Sequence, residues 1–114
     1  MISGIIYAII DDGYFYIGST KRTLLERIGE HIAASKSKSK NSKFYRYINN
    51  IRGGWEDIII ITLETIECDT DKELLKKEYQ YINQHIKDPL CLNVIKSERQ
   101  PYIINSYYKK HKKN

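Results

Sequence analysis

Gly4-Ile5-Ile6-Tyr7-Ala8-Ile9-Ile10-Asp11-Asp12-Gly13-Tyr14-Phe15-Tyr16-Ile17-Gly18 is the stretch that decides the fold. Residues 4 to 10 and 14 to 18 are runs of β-branched and aromatic side chains, and the Asp12-Gly13 pair between them is a strong hairpin signal. A two-residue type I′ loop there sets Asp11 opposite Tyr14, Ile9 opposite Tyr16 and Tyr7 opposite Gly18. Tyr7 and Tyr16 then share one face as diagonal neighbours. Gly18, opposite Tyr7, leaves space over the sheet for a ligand backbone. A three-residue loop would instead send the two tyrosines to opposite faces. Most strand tyrosines only pack, and this chain has 10 tyrosines, so the hairpin alone names no function.

Beyond the hairpin, Thr23 and Glu26 form a capping box that predicts a helix with an apolar stripe of Leu24, Leu25, Ile28 and Ile32. Ser-Lys repeats from Ser35 to Lys40 read as a solvated loop that could track phosphates. A second helix starts at Asn41 or Ser42, presents Phe44, Tyr47, Ile48 and Ile51, and stops at Gly53-Gly54. Residues 58 to 66 read as a buried strand. Thr70 and Glu73 open a third helix that runs to about Lys87, where Pro89 blocks continuation. The order β-β-α-α-β-α predicts an α+β (α/β) layer, a small three-stranded antiparallel sheet flanked by three helices. Residues 1–96 are the expected domain. Residues 97–114 are a basic, tyrosine-containing tail or short helix in which Tyr102, Tyr107 and Tyr108 interleave with lysines.

Length and composition bound the function. One domain of 114 residues with 41% hydrophobic and 29% charged side chains is globular in type, and no apolar run approaches the ~20 residues that span a bilayer. The N-terminus lacks a basic n-region, so no secretory signal is expected and the expected location is intracellular, cytoplasmic or nuclear. Cys68 and Cys91 match no zinc spacing and read as free thiols. The net charge of +5 suits a polyanion such as nucleic acid. Its distribution says more: Lys36, Lys38, Lys40, Lys43, Arg46 and Arg52 occur with no intervening acid.

Some residues fit packing poorly. In the third helix Leu74, Leu75, Tyr81, Ile82 and His85 fall on one side, with Glu78 in their midst. A carboxylate there needs a cation: a metal, or an internal partner such as Arg27. In the first helix Arg27 and His31 are four apart and border the apolar stripe, the seam where a cleft can form. A snorkelling arginine beside a partly buried histidine is the plain alternative.

These residues coincide with a family pattern. The sequence resembles the GIY-YIG nuclease superfamily over roughly residues 3 to 95. The second signature stands intact as Tyr16-Ile17-Gly18, followed by Ser19-Thr20; the first reads Gly4-Ile5-Ile6-Tyr7, its glycine displaced by one residue. The Arg and His four apart are Arg27 and His31, the late helical glutamate is Glu78 before Tyr81-Ile82, and the trailing Leu-Asn is Leu92-Asn93. The resemblance implies a DNA endonuclease using one divalent metal, Mg2+ with Mn2+ able to substitute, and no small-molecule cofactor. It implies Glu78 as metal ligand, Arg27 neutralising charge on the phosphate, and Tyr7 or Tyr16 orienting the attacking water and helping to remove its proton. His31 would assist that tyrosine or bind phosphate, Asn93 and Gly18 would support the site, and Lys21 would contact phosphate. Two competitors remain: a catalytically silent nucleic-acid-binding module on the same fold, and a small basic interaction domain whose Glu78 is only ion-paired.

Overall fold

A computed structural model describes residues 1–94; the tail at 97–114 lies outside the described residues. The elements are β1 (Ile2–Asp11), β2 (Tyr14–Thr20), α1 (Leu24–Ser35), α2 (Lys43–Arg46) running on into a π-helical turn (Tyr47–Arg52), β3 (Ile59–Cys68) and α3 (Asp71–His85). The sheet is three-stranded and antiparallel, in the order β2-β1-β3. This is the α+β arrangement the sequence predicts.

The hairpin forms as its loop dictates. Asp12 and Gly13 both take positive φ, 51° and 84°, the geometry of a type I′ turn. The register pairs Asp11 with Tyr14, Ile9 with Tyr16 and Tyr7 with Gly18. Tyr7, Ile9 and Tyr16 therefore face α1 and α2, while Ile6, Ala8 and Ile17 face α3 with Leu74 and Ile82. Each fully buried aliphatic chain on the α3 side stabilises by about 2 kcal/mol. Gly4 is needed there because a methyl at that position would meet Leu74.

β3 departs from the expected buried strand. It is an edge strand, and Ile59 is 56% exposed. Ile6 pairs with Glu64 but Tyr7 pairs with Thr62, so Leu63 is an extra, bulged residue. The bulge shifts the side-chain alternation: Ile60 packs with the α1/α2 side and Ile66 with the α3 side, although they are six positions apart.

The helices keep their predicted starts but not all of their predicted faces. Thr23 and Glu26 close the capping box of α1, Ser42 caps α2 and Thr70 caps α3. Leu25 lies 81% exposed, and the inward edge of α1 is Leu24, Arg27, Ile28, His31 and Ser35. Arg27 and His31 thus stand on the buried face rather than beside it, because α1 meets an aromatic, hydrogen-bonding sheet face. Ile51 is exposed because the π turn is wider than an α turn and rotates it away from Ile48. Gly53, at φ 87°, ends that turn. In α3, Leu75 and His85 are exposed. Phe15, Ile17, Ile61 and Leu63, with Ala8 and Ile10, line an open apolar groove of about 320 Å³ whose rim carries His85.

The outer edge of β2 is closed by residues 90 to 93. Leu92 N–H donates to Phe15 O at 2.8 Å and Phe15 N–H to Leu90 O at 3.1 Å. The buried Asn93 amide both accepts from Ile17 N–H and donates to Ile17 O, each at 2.8 Å. The side chain acts there as one more rung of the sheet. Cys68 and Cys91 are free, buried thiols, and no described helix is long and apolar enough to cross a membrane.

Candidate active site

The site begins at Tyr7, fully buried at the middle of the central strand. Its phenol lies directly over Gly18: a Cβ there would sit 2.6 Å from Tyr7 Cζ. Gly18 leaves room for the Tyr7 ring, not for a ligand backbone as its place in the hairpin suggested. Any side chain at 18 would displace the hydroxyl on which the site is built.

That hydroxyl joins a chain of four polar groups. Arg27 Nε–H donates to Tyr7 Oη at 3.1 Å; Tyr7 Oη lies 2.7 Å from His31 Nε2; His31 Nδ1 lies 2.8 Å from Tyr45 Oη. Arg27 also donates from Nη1 to Glu30 at 3.0 Å, and Glu30 pairs with Arg22 at 3.0 Å, so the guanidinium is held at two points. Tyr16 stacks on Phe44 with centroids 4.1 Å apart and turns its edge to His31 at 5.5 Å. Trp55 lies over the other side of the imidazole at 6.2 Å and donates its Nε1–H to Ser35 Oγ at 2.9 Å.

This aromatic wall sets the protonation states. Burial pushes the Tyr7 phenol up to about 12, with Arg27 opposing and the Glu78 carboxylate reinforcing. Tyr16 is raised too, first by burial and then by the charge of its neighbours Tyr7 and Glu78. Burial, and then the Arg27 charge, holds His31 down to about 3, so its ring is neutral at physiological pH. A neutral imidazole carries one N–H. Tyr7 Oη already accepts from Arg27 and is buried, so its own proton needs an acceptor, and His31 Nε2 is the nitrogen in reach. His31 then donates from Nδ1 to Tyr45.

Glu78 reaches the site from the opposite face. It lies half-buried in α3 between Leu74 and Ile82 and accepts a short hydrogen bond from Ser19 Oγ–H. Ser19 follows Gly18 and so projects to the α3 side of β2. The polar groups therefore straddle one strand, with Tyr7, Arg27 and His31 on one side and Glu78 and Ser19 on the other. Among the described residues no group of three or more His, Cys, Asp or Glu could hold a metal. One carboxylate beside a hydroxyl fits a hard divalent cation that takes its other oxygens from water and phosphate.

Lys21 pairs with Asp71 at 3.0 Å, both exposed, so this lysine already has an acidic partner at the start of α3. Asn93 acts on the backbone of Ile17, the residue between Tyr16 and Gly18. Tyr45, Trp55 and Phe44 were not legible as site residues, because only tertiary packing, of α2 and of the segment before β3, brings them to His31. Ser19 carried a faint signal, its place directly after Tyr16-Ile17-Gly18.

No curated protein and no solved structure matches the chain. The profile of the GIY-YIG catalytic domain matches residues 3–90, most of the sequence and every element of the fold. The chain belongs to the GIY-YIG family of nuclease catalytic domains.

Proposed function

We propose that this chain is a magnesium-dependent endonuclease that hydrolyses DNA phosphodiester bonds. The observation that carries the reading is the Arg27–Tyr7–His31 hydrogen-bonded chain set across β2 from Glu78. Exposed Lys36, Lys38 and Lys40, beyond the end of α1, favour a phosphate-rich partner.

Tyr7 orients the attacking water. Its raised pKa makes a standing phenolate costly, so it works as a relay: it takes the water's proton on Oη while passing its own to His31 Nε2. The water oxygen bonds to phosphorus, and the leaving ester oxygen departs with the electron pair of the broken bond. Arg27, whose guanidinium is only partly buried, neutralises charge growing on the non-bridging oxygens. Tyr16, kept neutral by burial, donates a hydrogen bond to the phosphate. Glu78, with Ser19 beside it, holds magnesium, and manganese can substitute. The metal, when bound, polarises the phosphate and stabilises the leaving oxygen.

Plasmid nicking tests this. The wild-type chain is expected to nick in magnesium and not in a chelator. Glu78→Gln keeps the shape and removes the charge, so cleavage should drop by at least ~100-fold while folding survives. A folded Glu78→Gln that cuts at wild-type rate removes Glu78 from the mechanism. A wild-type chain that binds DNA but never nicks it overturns the proposal in favour of a silent binding module.

A further inference from the structure

We infer that Tyr45 is a positioning residue for His31 and the outlet through which the proton taken from the attacking water leaves the site. This rests on the hydrolytic reading above and extends it to a residue that neither the family match nor the sequence pattern singles out.

His31 is 1% exposed. Tyr7 meets it from β1, Tyr16 from β2, Arg27 from its own helix, Phe44 and Tyr45 from α2, and Trp55 from the segment before β3. The charged or titratable groups among these are Tyr7, Tyr16, Arg27 and Tyr45. Arg27 is permanently cationic and sits at the Tyr7 end of the chain. A second cation on the imidazole would be desolvated and repelled, so the ring can accept a proton at Nε2 only if it gives one up at Nδ1. The hydroxyl at Nδ1 belongs to Tyr45, which is only half-buried and so can pass a proton on to solvent.

Tyr45 is also held in place. Its backbone N–H is bonded by the Ser42 cap, and its ring touches Phe44 and Trp55 at 5.4 and 6.5 Å. Its oxygen therefore meets the imidazole from a fixed direction and accepts from Nδ1–H, reinforcing the tautomer that the Tyr7 proton at Nε2 already requires.

The proton balance closes. The water O–H breaks and its hydrogen goes to Tyr7 Oη; the Tyr7 hydrogen goes to His31 Nε2; the Nδ1 hydrogen goes to Tyr45 Oη; the Tyr45 hydrogen goes to bulk water. The ring ends neutral in its other tautomer. After the product leaves, the reverse shift restores the starting state, with water in the emptied site taking the Tyr7 proton and solvent returning one to Tyr45.

Two measurements on the full chain decide it. Long-range 1H–15N spectra of the histidines should show His31 protonated on Nδ1 and bare on Nε2. Tyr45→Phe should weaken that preference, because the buried Nδ1–H then lacks its acceptor, and should melt somewhat earlier while still folding. In magnesium, Tyr45→Phe should lower kcat by about tenfold or more with KM and DNA affinity unchanged, and the deficit should shrink as pH rises and solvent base replaces the lost outlet. A proton on Nε2 in the wild type, or a wild-type kcat in Tyr45→Phe, overturns the inference. A wild-type chain that never nicks defeats the hydrolytic reading and the outlet with it, whereas the spectra then still decide whether Tyr45 positions His31.

Discussion

On the face of the sheet that meets α3, the buried groups are Ile6, Ala8, Ile17, Leu74, Ile82 and the Cys68 thiol, with Tyr79 and Tyr81 half-buried against them. On the face that meets α1 and α2, the buried and half-buried groups include Tyr7, Tyr16, His31, Phe44, Tyr45, Tyr47 and Trp55. Most of these carry an N–H or O–H that must find a partner. The aliphatic face can be shaped by volume alone. The aromatic face is fixed by hydrogen-bond directions as well, which holds the Tyr7 and His31 atoms to one arrangement. Its cost is sensitivity: a methyl group or a proton in the wrong place is felt at once. Glu78 is a carboxylate on the aliphatic side, held there by Ser19.

Gly18→Ala is the strongest way to break the aromatic face. The added methyl would stand 2.6 Å from Tyr7 Cζ, and the strand backbone cannot retreat because Asn93 clasps Ile17. The phenol must swing out, leaving Arg27 Nε and His31 Nε2 without their shared partner. Nicking should fall by more than ~100-fold, and stability by about 2 kcal/mol from overpacking and lost hydrogen bonds. A Gly18→Ala variant that nicks normally would mean that the ring over Gly18 does not set the site.

The second test uses acid. A free imidazole takes a proton near 6.5, whereas folded His31 resists to about 3. Between those values the unfolded chain binds more protons than the folded one. Stability is therefore complete above pH 6.5 and is lost as pH falls toward 3, at up to about 1.4 kcal/mol per unit. The aliphatic face has no such group, so the loss should open the α1/α2 side first. Melting temperatures measured from pH 7 down to 4.5 should decline in the wild type and stay level in His31→Gln. Equal slopes in the two proteins would show that His31 is not held neutral by its surroundings.

What could be read in the sequence, and what could not, follows the same division. The hairpin register was legible because Asp12-Gly13 is a local device and strand alternation does the rest. It placed Tyr7 and Tyr16 on one face. Caps at Thr23, Ser42 and Thr70 were local signals as well. The exposure of Leu25, Ile51 and Leu75 was not legible, because it depends on what each helix is laid against. Nor was the Leu63 bulge, since a run of consecutive Ile residues has no alternation to betray a shift of register. Glu78 stood out as an acid in an apolar stripe, but its hydrogen bond with Ser19 is a tertiary fact. Tyr45 is the clearest miss: at its place in a helix it looks like any packing tyrosine, and its role depends on where His31 Nδ1 points.

The smallest effect tests whether the aliphatic face is scaffold alone. Ile6 and Tyr7 are consecutive, both fully buried, and project to opposite sides of the same strand. Ile6→Val removes one methyl from the α3 side and keeps the β-branch that suits a strand. The expected cost is about 1 kcal/mol, the transfer energy of the methyl plus the small void it leaves between β1 and α3. That void faces Leu74 and Ile82, away from the Arg27–Tyr7–His31 chain, and the backbone pairing of Tyr7 with Gly18 and Thr62 is untouched. The kcat for nicking by folded protein should therefore equal that of the wild type, although denaturation comes earlier. If kcat also falls, the two faces are mechanically coupled through β1. The tight contact of the Tyr7 ring on Gly18 would then depend on the packing behind it, and the division between scaffold and site would have to be redrawn.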